Sequence, residues 1–205
     1  MQILDTINAA ARAVEGAASV GRHPFTSAVI LAGGCGTRMG GTETVTKQFM
    51  ELDGMPVILH TVLAFQKCEA VDEIVLVVRE EERENYPSML REAGVTKVKK
   101  IVPGGKTRQE SAKAGMNAVN DKCRFLAIHD GARPLILPDE ITTVAKEAYR
   151  IGAAAAASHA KDTVKITDGN RYVKETADSG QITRGSSTRA CCPRRGSGRY
   201  KRESA

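Results

Sequence analysis

Short apolar runs and helix-like segments alternate along the middle of the chain. The apolar runs predict five strands, at "SAVILAG" (27–33), 73–78, 98–103, 124–129 and 153–160. The segments between them carry apolar residues at helical spacing and predict helices at 56–68, 81–93, 108–119 and 138–151. This alternation predicts an α/β fold, with a mostly parallel sheet and helices on both of its faces.

The two ends of this region have different patterns. Two alternating runs around "DGN" in residues 164–176 predict a β-hairpin. We interpret it as a projecting arm that reaches a partner subunit, with a plain surface ribbon as the alternative. We divide the chain into an extension with a short helix and a linker (1–26), one domain (27–180) and a tail (181–205).

The composition is that of a globular protein with one main domain. The chain has 205 residues, of which 41% are hydrophobic and 26% are charged. It has neither an apolar run long enough to span a bilayer nor the pattern of a secretory signal. Its five cysteines have neither zinc-site nor disulfide-framework spacing, and its four histidines have no metal-ligand spacing. We therefore expect a cytoplasmic protein that binds no membrane and holds no metal through a cysteine or histidine cluster.

The positive net charge belongs to the tail rather than to the domain. Residues 181–205 carry seven Lys or Arg and one Glu, so the other 180 residues carry 23 basic and 23 acidic side chains. The tail contains almost no large aliphatic residue, and we expect it to be disordered or aberrant. A basic arm for nucleic acid or a membrane surface is the alternative. We do not expect nucleic-acid binding, because Tyr200 is the one aromatic residue there that could stack on bases.

The first candidate for chemistry is the loop after the first predicted strand. Gly33, Gly34 and Gly36 allow the backbone to approach a ligand and to present N–H groups to an anion. A tight turn would also explain the glycines, but Arg38 and Lys47 add the cations that a polyphosphate needs. The loop matches neither a P-loop nor a dinucleotide fingerprint. It therefore indicates a mononucleotide triphosphate.

The second candidate is "PGGKTRQES", which follows the third predicted strand. Gly105, Arg108 and Ser111 place hydrogen-bond donors and a positive charge at the amino end of a helix, which favours an anion or a base edge. Thr107 and Glu110 have capping-box spacing, so a well-started helix explains the segment equally well.

The third candidate is "IHDGARP", at the end of the fourth predicted strand. Asp130 is placed to bind a hydroxyl group or a magnesium ion, although a turn or a helix cap would also use an aspartate here. Arg133 pairs with Asp130 or serves the structure alone. His129 is interpreted as a surface or core residue.

Together, "LAGGCGTRMG…KQF", "GGKTRQES", "IHDGARP" and "KDTVK" resemble the 2-C-methyl-D-erythritol 4-phosphate cytidylyltransferase family of isoprenoid biosynthesis over residues 27–178. The resemblance implies a Rossmann-like nucleotidyltransferase fold, magnesium, and a homodimer whose β-arms reach the neighbouring site. The implied reaction joins CTP to methylerythritol phosphate, gives the CDP-alcohol and releases pyrophosphate.

The resemblance also implies a role for each matching residue. Arg38 and Lys47 would stabilise the transition state. Asp130 would contact the bound ligands, and Thr163 on the arm would face the substrate of a neighbouring subunit. Nucleotide binding is implied for Ala32, Gly33, Gly34, Gly36, Gly105, Arg108 and Ser111, with Arg108 supporting its loop.

The chain departs from the family pattern after Asp178. Ser179 stands where family members carry an arginine, and the later family segments are not recognisable. We therefore expect the CTP half of the site to be intact, the acceptor half to be incomplete, and the sheet to be poorly covered on one side. Two other functions stay open, namely a ribitol or glycerol phosphate cytidylyltransferase and a non-catalytic nucleotide- or nucleic-acid-binding protein.

Overall fold

In the computed structural model, the described residues are 23–34, 46–159, 162–169, 171–178 and 183–191. The predicted N-terminal helix and the sequence from 192 onward lie outside them. So do three residues that bear on the site, namely Gly36, Arg38 and Ser179.

A six-stranded sheet forms the centre of the described fold, in the order β5-β4-β1-β6-β10-β7. The first four strands in this order are parallel to one another, whereas β10 is antiparallel to β6 and β7. The strands are β1 (Thr26–Leu31), β2 (Glu51–Leu52), β3 (Met55–Pro56), β4 (Glu73–Val78), β5 (Val98–Pro103), β6 (Phe125–Asp130), β7 (Ala153–His159), β8 (Lys165–Thr167), β9 (Val173–Thr176) and β10 (Thr183–Cys191).

The helices follow the strands as the alternating pattern predicts. They are α1 (Val57–Lys67), a 3-10 helix (Glu80–Asn85) that continues into α2 (Tyr86–Glu92), α3 (Arg108–Ala118) and α4 (Pro138–Ile151). The five predicted strands and four predicted helices are thus confirmed. Within the described ranges, no helix is both long and apolar enough to cross a bilayer.

Alternate residues of the central strands point to opposite faces of the sheet, and each face carries its own core. Ile30 and Leu76 pack on the face covered by α1 and α4, in a cluster that includes Phe65. Val29 and Val77 pack on the opposite face, which α3 covers. All six residues of β4 are buried, because this strand has a neighbour on each side and helices on both faces. The predicted covering of both faces is confirmed.

Strand β10 corrects the interpretation of the tail. We expected residues 181–205 to be disordered or aberrant, and for 183–191 the expectation of disorder is wrong. A strand inside a sheet is held by backbone hydrogen bonds on both edges, so it does not need large apolar side chains. Thr188 and Ala190 are only 1% and 2% exposed, and Ala190 packs in a cluster with Phe125. Small side chains such as those of Thr188 and Ala190, which indicated disorder, are therefore buried in the sheet.

The predicted hairpin is present as β8 and β9, which form a two-stranded antiparallel sheet of their own. The turn is closed by backbone hydrogen bonding from Asp168 N–H to the Tyr172 carbonyl at 2.9 Å. Ile166, Tyr172 and Val173 are exposed on it, at 46%, 75% and 53%. Whether this hairpin is an arm for a second subunit stays a prediction.

His129 connects β6 to β10 in the core. Its side chain is 1% exposed, its Nδ1 lies 2.9 Å from Thr188 Oγ1, and its Nε2 lies 3.3 Å from the Arg133 carbonyl oxygen. Burial lowers the pKa of His129, because the charged imidazolium would lose its hydration. The histidine is therefore a core residue, which is one of the two positions that we expected.

We expect His129 to make the fold sensitive to mild acid. Below about pH 6.5 the unfolded chain protonates this histidine, whereas the folded chain, with its lowered pKa, does not. Unfolding then takes up a proton, so the free energy of unfolding decreases as the pH falls from 7 to 5. Urea unfolding at several pH values should show a smaller decrease in His129→Gln than in the unsubstituted chain.

Thr188→Val is the matched control for this prediction. It removes the same hydrogen bond, at a cost of about 1–3 kcal/mol, but keeps the titrating imidazole. Its pH dependence should therefore resemble that of the unsubstituted chain. If the free energy of unfolding of His129→Gln fell with pH as steeply as that of the unsubstituted chain, His129 would not be the source of the acid sensitivity.

Candidate active site

Three loops meet at the carboxyl edge of β1, β5 and β6, because these strands are parallel. Hydrogen bonds just beyond the strand ends hold the loops in register. Ala32 N–H donates to the Val77 carbonyl at 2.7 Å, and Gly104 N–H donates to the Val78 carbonyl at 2.8 Å. Gly131 N–H donates to the Leu31 carbonyl at 2.7 Å. The three predicted motifs are thus parts of one edge.

The first loop leaves its backbone accessible where the glycines stand. Ala32 is 1% exposed and belongs to the core, so it anchors the start of the loop there. Gly33 is half-buried and Gly34 is exposed. Among the described residues, no atom would lie within 4 Å of a Cβ added at Gly34, so their packing does not require a glycine there. Open space beside the backbone is what close approach of a ligand needs.

Lys47 lies half-buried in a turn that leads into β2. It is the catalytic candidate whose position is described, since Arg38 lies outside the described residues. The turn begins at Thr46, whose carbonyl accepts from Phe49 N–H at 2.9 Å. The turn lies beside the first loop, because the side chain of the next residue, Gln48, contacts Ala32 and Gly34.

Gln48 is a buried residue of this edge, and no role was predicted for it from the sequence. It is 3% exposed, and its Nε2 donates to the carbonyl oxygens of Ala32 and Gly34. It lies within the "KQF" motif next to Lys47. This motif was the one sign in the sequence that could have indicated Gln48, because a hydrogen bond between segments that are distant in sequence leaves no periodic pattern.

The second loop uses its own polar groups to start α3. Thr107 and Glu110 form the predicted capping box, with Glu110 N–H donating to Thr107 Oγ1 at 3.1 Å. Gly105 N–H donates to Ser111 Oγ at 3.1 Å, and Ser111 Oγ also lies 3.0 Å from the Thr107 carbonyl. A Cβ at Gly105 would come within 2.3 Å of Glu110 Cβ, so this glycine is required by the cap itself. The structural explanation of the segment is confirmed, and its nucleotide role stays a prediction.

The third loop contributes a carboxylate between two arginines. Asp130 is the last residue of β6, and its Oδ1 accepts from Arg108 Nη2 at 2.7 Å and from Arg108 Nε at 3.1 Å. Arg133 Nε lies 3.5 Å from Asp130 Oδ2. Both guanidinium groups are more than half exposed, so solvent screens the pairs and they add little to stability. Their main effect is to join the second and third loops and to leave a net positive charge at the edge.

Thr163, the site residue predicted on the arm, has no described link to the three loops. Thr163 is exposed and directly precedes the hairpin, and in the described part of the chain no hydrogen bond or ion pair links it to the three loops. The described residues also contain no group of three or more His, Cys, Asp and Glu side chains that could hold a metal ion.

The parallel sheet, the open glycine loop and the cations at its carboxyl edge define an α/β protein of the nucleotide-binding class. The family model for 2-C-methyl-D-erythritol 4-phosphate cytidylyltransferase matches residues 26–189. The chain belongs to this family.

Curated relatives carry the same name. The protein of that name from Clostridium botulinum strain 657 is 39% identical over 150 residues, which are 73% of this chain and 65% of the relative. The one from Clostridium perfringens strain ATCC 13124 is 37% identical over 154 residues, which are 75% of this chain and 67% of the relative. The match thus spans about two thirds of these relatives' length.

Solved structures agree on the fold. The 4-diphosphocytidyl-2C-methyl-D-erythritol synthase from Anaerococcus prevotii has a TM-score of 0.72 at 26% identity, over 82% of this chain and 71% of that one. The cytidylyltransferase from Thermus thermophilus has a TM-score of 0.63 at 20% identity, over 82% and 70% of the two chains. The expected Rossmann-like nucleotidyltransferase fold is confirmed.

The family match also corrects the extent of the resemblance. We expected the resemblance to end near residue 178, whereas the family model matches up to residue 189. This additional part contains most of β10, which completes the sheet between β6 and β7. The sheet neighbour of β6 on that side is therefore supplied by a segment that we had assigned to the tail.

Proposed function

We propose that the protein transfers the cytidylyl group of CTP to 2-C-methyl-D-erythritol 4-phosphate and releases pyrophosphate. The single observation that carries this proposal is the family match over residues 26–189, which includes all three loops of the candidate site. The contact between Arg108 and Asp130 supports it, because it joins two of the matched motifs at one edge.

The reaction needs no nucleophile from the protein. A phosphate oxygen of the acceptor attacks the α-phosphorus of CTP and forms a new P–O bond. The bond from the α-phosphorus to the bridging oxygen breaks, and its electron pair leaves with pyrophosphate. Negative charge is redistributed over the phosphate oxygens, so positioned cations and N–H donors lower the barrier. We assign this role to Lys47 and Arg38, with Gly33, Gly34 and Gly36 lining the triphosphate.

Magnesium fits the proposed site as a companion of the nucleotide. Mg²⁺ commonly binds through one or two carboxylates and the phosphates of a substrate, and Asp130 is a carboxylate at the correct edge. When bound, the ion would neutralise charge on the triphosphate. Arg108 and Arg133 hold the Asp130 carboxylate at this edge, where it would be available to the ion.

We further propose that the protein acts in the cytoplasm as a homodimer. The exposed apolar residues Ile166, Tyr172 and Val173 of the hairpin support the dimer, because a second subunit would remove them from water. In such a dimer Thr163 would approach the acceptor in the neighbouring site. The buried thiol of Cys68, which is in no disulfide, is compatible with a reducing compartment.

An acceptor panel tests the proposed substrate. The purified protein is incubated with CTP and magnesium, and pyrophosphate is measured with methylerythritol phosphate, ribitol 5-phosphate or glycerol 3-phosphate. We expect release that depends on methylerythritol phosphate. Faster release with either of the other two acceptors would contradict the proposal.

A further inference from the structure

Gln48 fixes the backbone that surrounds Gly33. Its Nε2 donates to the carbonyl oxygen of Ala32, which precedes Gly33, and to that of Gly34, which follows it, the latter at 3.3 Å. Because both neighbours are carbonyl oxygens, the NH₂ side of the carboxamide must face them. One side chain thus holds the backbone on both sides of Gly33.

This arrangement sets the direction of the loop's N–H groups. In a trans peptide the C=O and N–H bonds point in opposite directions. The Ala32 carbonyl points toward Gln48, so the N–H of Gly33, which belongs to the same peptide unit, points away from it. A donor that points away from the buried carboxamide is what an anion outside the loop requires.

The main chain of Gln48 is anchored as well. Its carbonyl accepts from Ile58 N–H at 3.0 Å at the start of α1, and the Met50 carbonyl accepts from Val57 N–H at 2.9 Å. Lys47 directly precedes Gln48, so the same anchor determines where the lysine backbone lies. The glycine loop and the proposed catalytic cation are therefore tied to one residue.

The carboxamide also leaves one of its polar atoms without a partner. Gln48 Oε1 is buried and has no hydrogen-bond partner among the described residues. An unpaired buried acceptor costs about 1–3 kcal/mol, so an apolar side chain would fill this space at less cost if packing were its only role. The two contacts from Nε2 are what an apolar side chain could not supply.

We propose that Gln48 is a positioning residue for nucleotide binding, which orients the Gly33–Gly34 backbone and Lys47 toward the triphosphate. This inference rests on the proposed function, since it assigns the triphosphate to this loop. Gln48 would act through the loop backbone and Lys47, and it needs no contact with CTP.

Gln48→Met tests the proposal, because it keeps the length of the side chain and removes both donors. We expect the KM for CTP to rise about tenfold or more and kcat to fall about tenfold or more, since two hydrogen bonds are lost. The KM for the acceptor should stay within about threefold, because the two hydrogen bonds that are lost do not involve Asp130 or Thr163, to which we assign the acceptor. Gln48→Glu, whose carboxylate would face two carbonyl oxygens, should show the same pattern or a larger one.

Gln66→Met is the matched control. Gln66 also joins two segments through its carboxamide, accepting from Thr96 N–H at 3.1 Å and from Lys97 N–H at 2.8 Å, but it lies near the other end of α1. We expect its kinetics to match those of the unsubstituted chain. Thermal melting of each variant verifies that it is folded.

Backbone order parameters of the Gly33 and Gly34 amides, from NMR relaxation, test the positioning without any nucleotide. We expect a fall from about 0.85 towards about 0.6 in Gln48→Met or Gln48→Glu and no change in Gln66→Met. Unchanged order parameters in both Gln48 variants would overturn the proposal, and so would lower order parameters with an unchanged affinity for CTP. If the unsubstituted chain bound no CTP, the proposed function would fail, whereas the order parameters would still decide the role of Gln48 in ordering the loop.

Discussion

Lys47→Met is expected to lower kcat for pyrophosphate release by about 100- to 1000-fold, the range found when a preorganised charge-stabilising group is removed. The methionine keeps much of the length of the side chain, so the loss reports the ammonium group. Lys47 is half-buried, which limits the solvent screening of its charge. Steady-state kinetics with CTP, magnesium and the acceptor measure the effect.

Lys113→Met provides the comparison for this result. Lys113 lies exposed on α3, so its substitution removes the same charge from the surface and should leave kcat within about twofold. Both variants should unfold at similar urea concentrations. A Lys47→Met protein with nearly normal kcat would remove this lysine from the mechanism.

Gly115→Ala is expected to destabilise the fold by about 1–3 kcal/mol, as overpacking of a core does. At an ordinary helix position this change stabilises by up to about 1 kcal/mol. Here the added Cβ would lie 2.3 Å from Val29 Cγ1 and 2.8 Å from Val77 Cγ2. Both valines are fully buried and have no room to move, so α3 must shift away from the sheet. Urea unfolding measures the change.

Asn117→Ala on the same helix is the matched control. Asn117 is exposed, and its replacement by the better helix former should be neutral or slightly stabilising. If Gly115→Ala also increased the free energy of unfolding, α3 would not approach the sheet as closely as the two valine contacts require.

The order of strands and helices could be predicted because burial leaves a pattern in the sequence. β4 is covered on both faces and contains the continuous apolar run "IVLVV" after Glu73, and α4 begins at Pro138, which suits the first turn of a helix. β10 left no such pattern. The two side chains of β10 whose burial is described, Thr188 and Ala190, are small, and the place of the strand in the sheet depends on backbone pairing with β6 and β7.

The candidate site could be predicted as far as strand ends determine it. Parallel strands bring their carboxyl ends to one edge, so the three loops had to meet there. The contact between Arg108 and Asp130 joins residues that are 22 positions apart, and that from Gln48 to Ala32 spans 16 positions. Such pairs depend on the distance between neighbouring strands and loops, which local spacing does not encode.

The fate of the α-phosphorus of CTP tests the central claim most directly. CTP labelled with radioactive phosphorus at the α position is incubated with the protein, magnesium and methylerythritol phosphate, and the products are separated by chromatography. We predict that the label moves into the CDP-alcohol in amounts equal to the pyrophosphate released, and that omission of the acceptor prevents both. Label that remains in CTP, or that is released as CMP whether or not the acceptor is present, would contradict the assignment of this chain as a cytidylyltransferase.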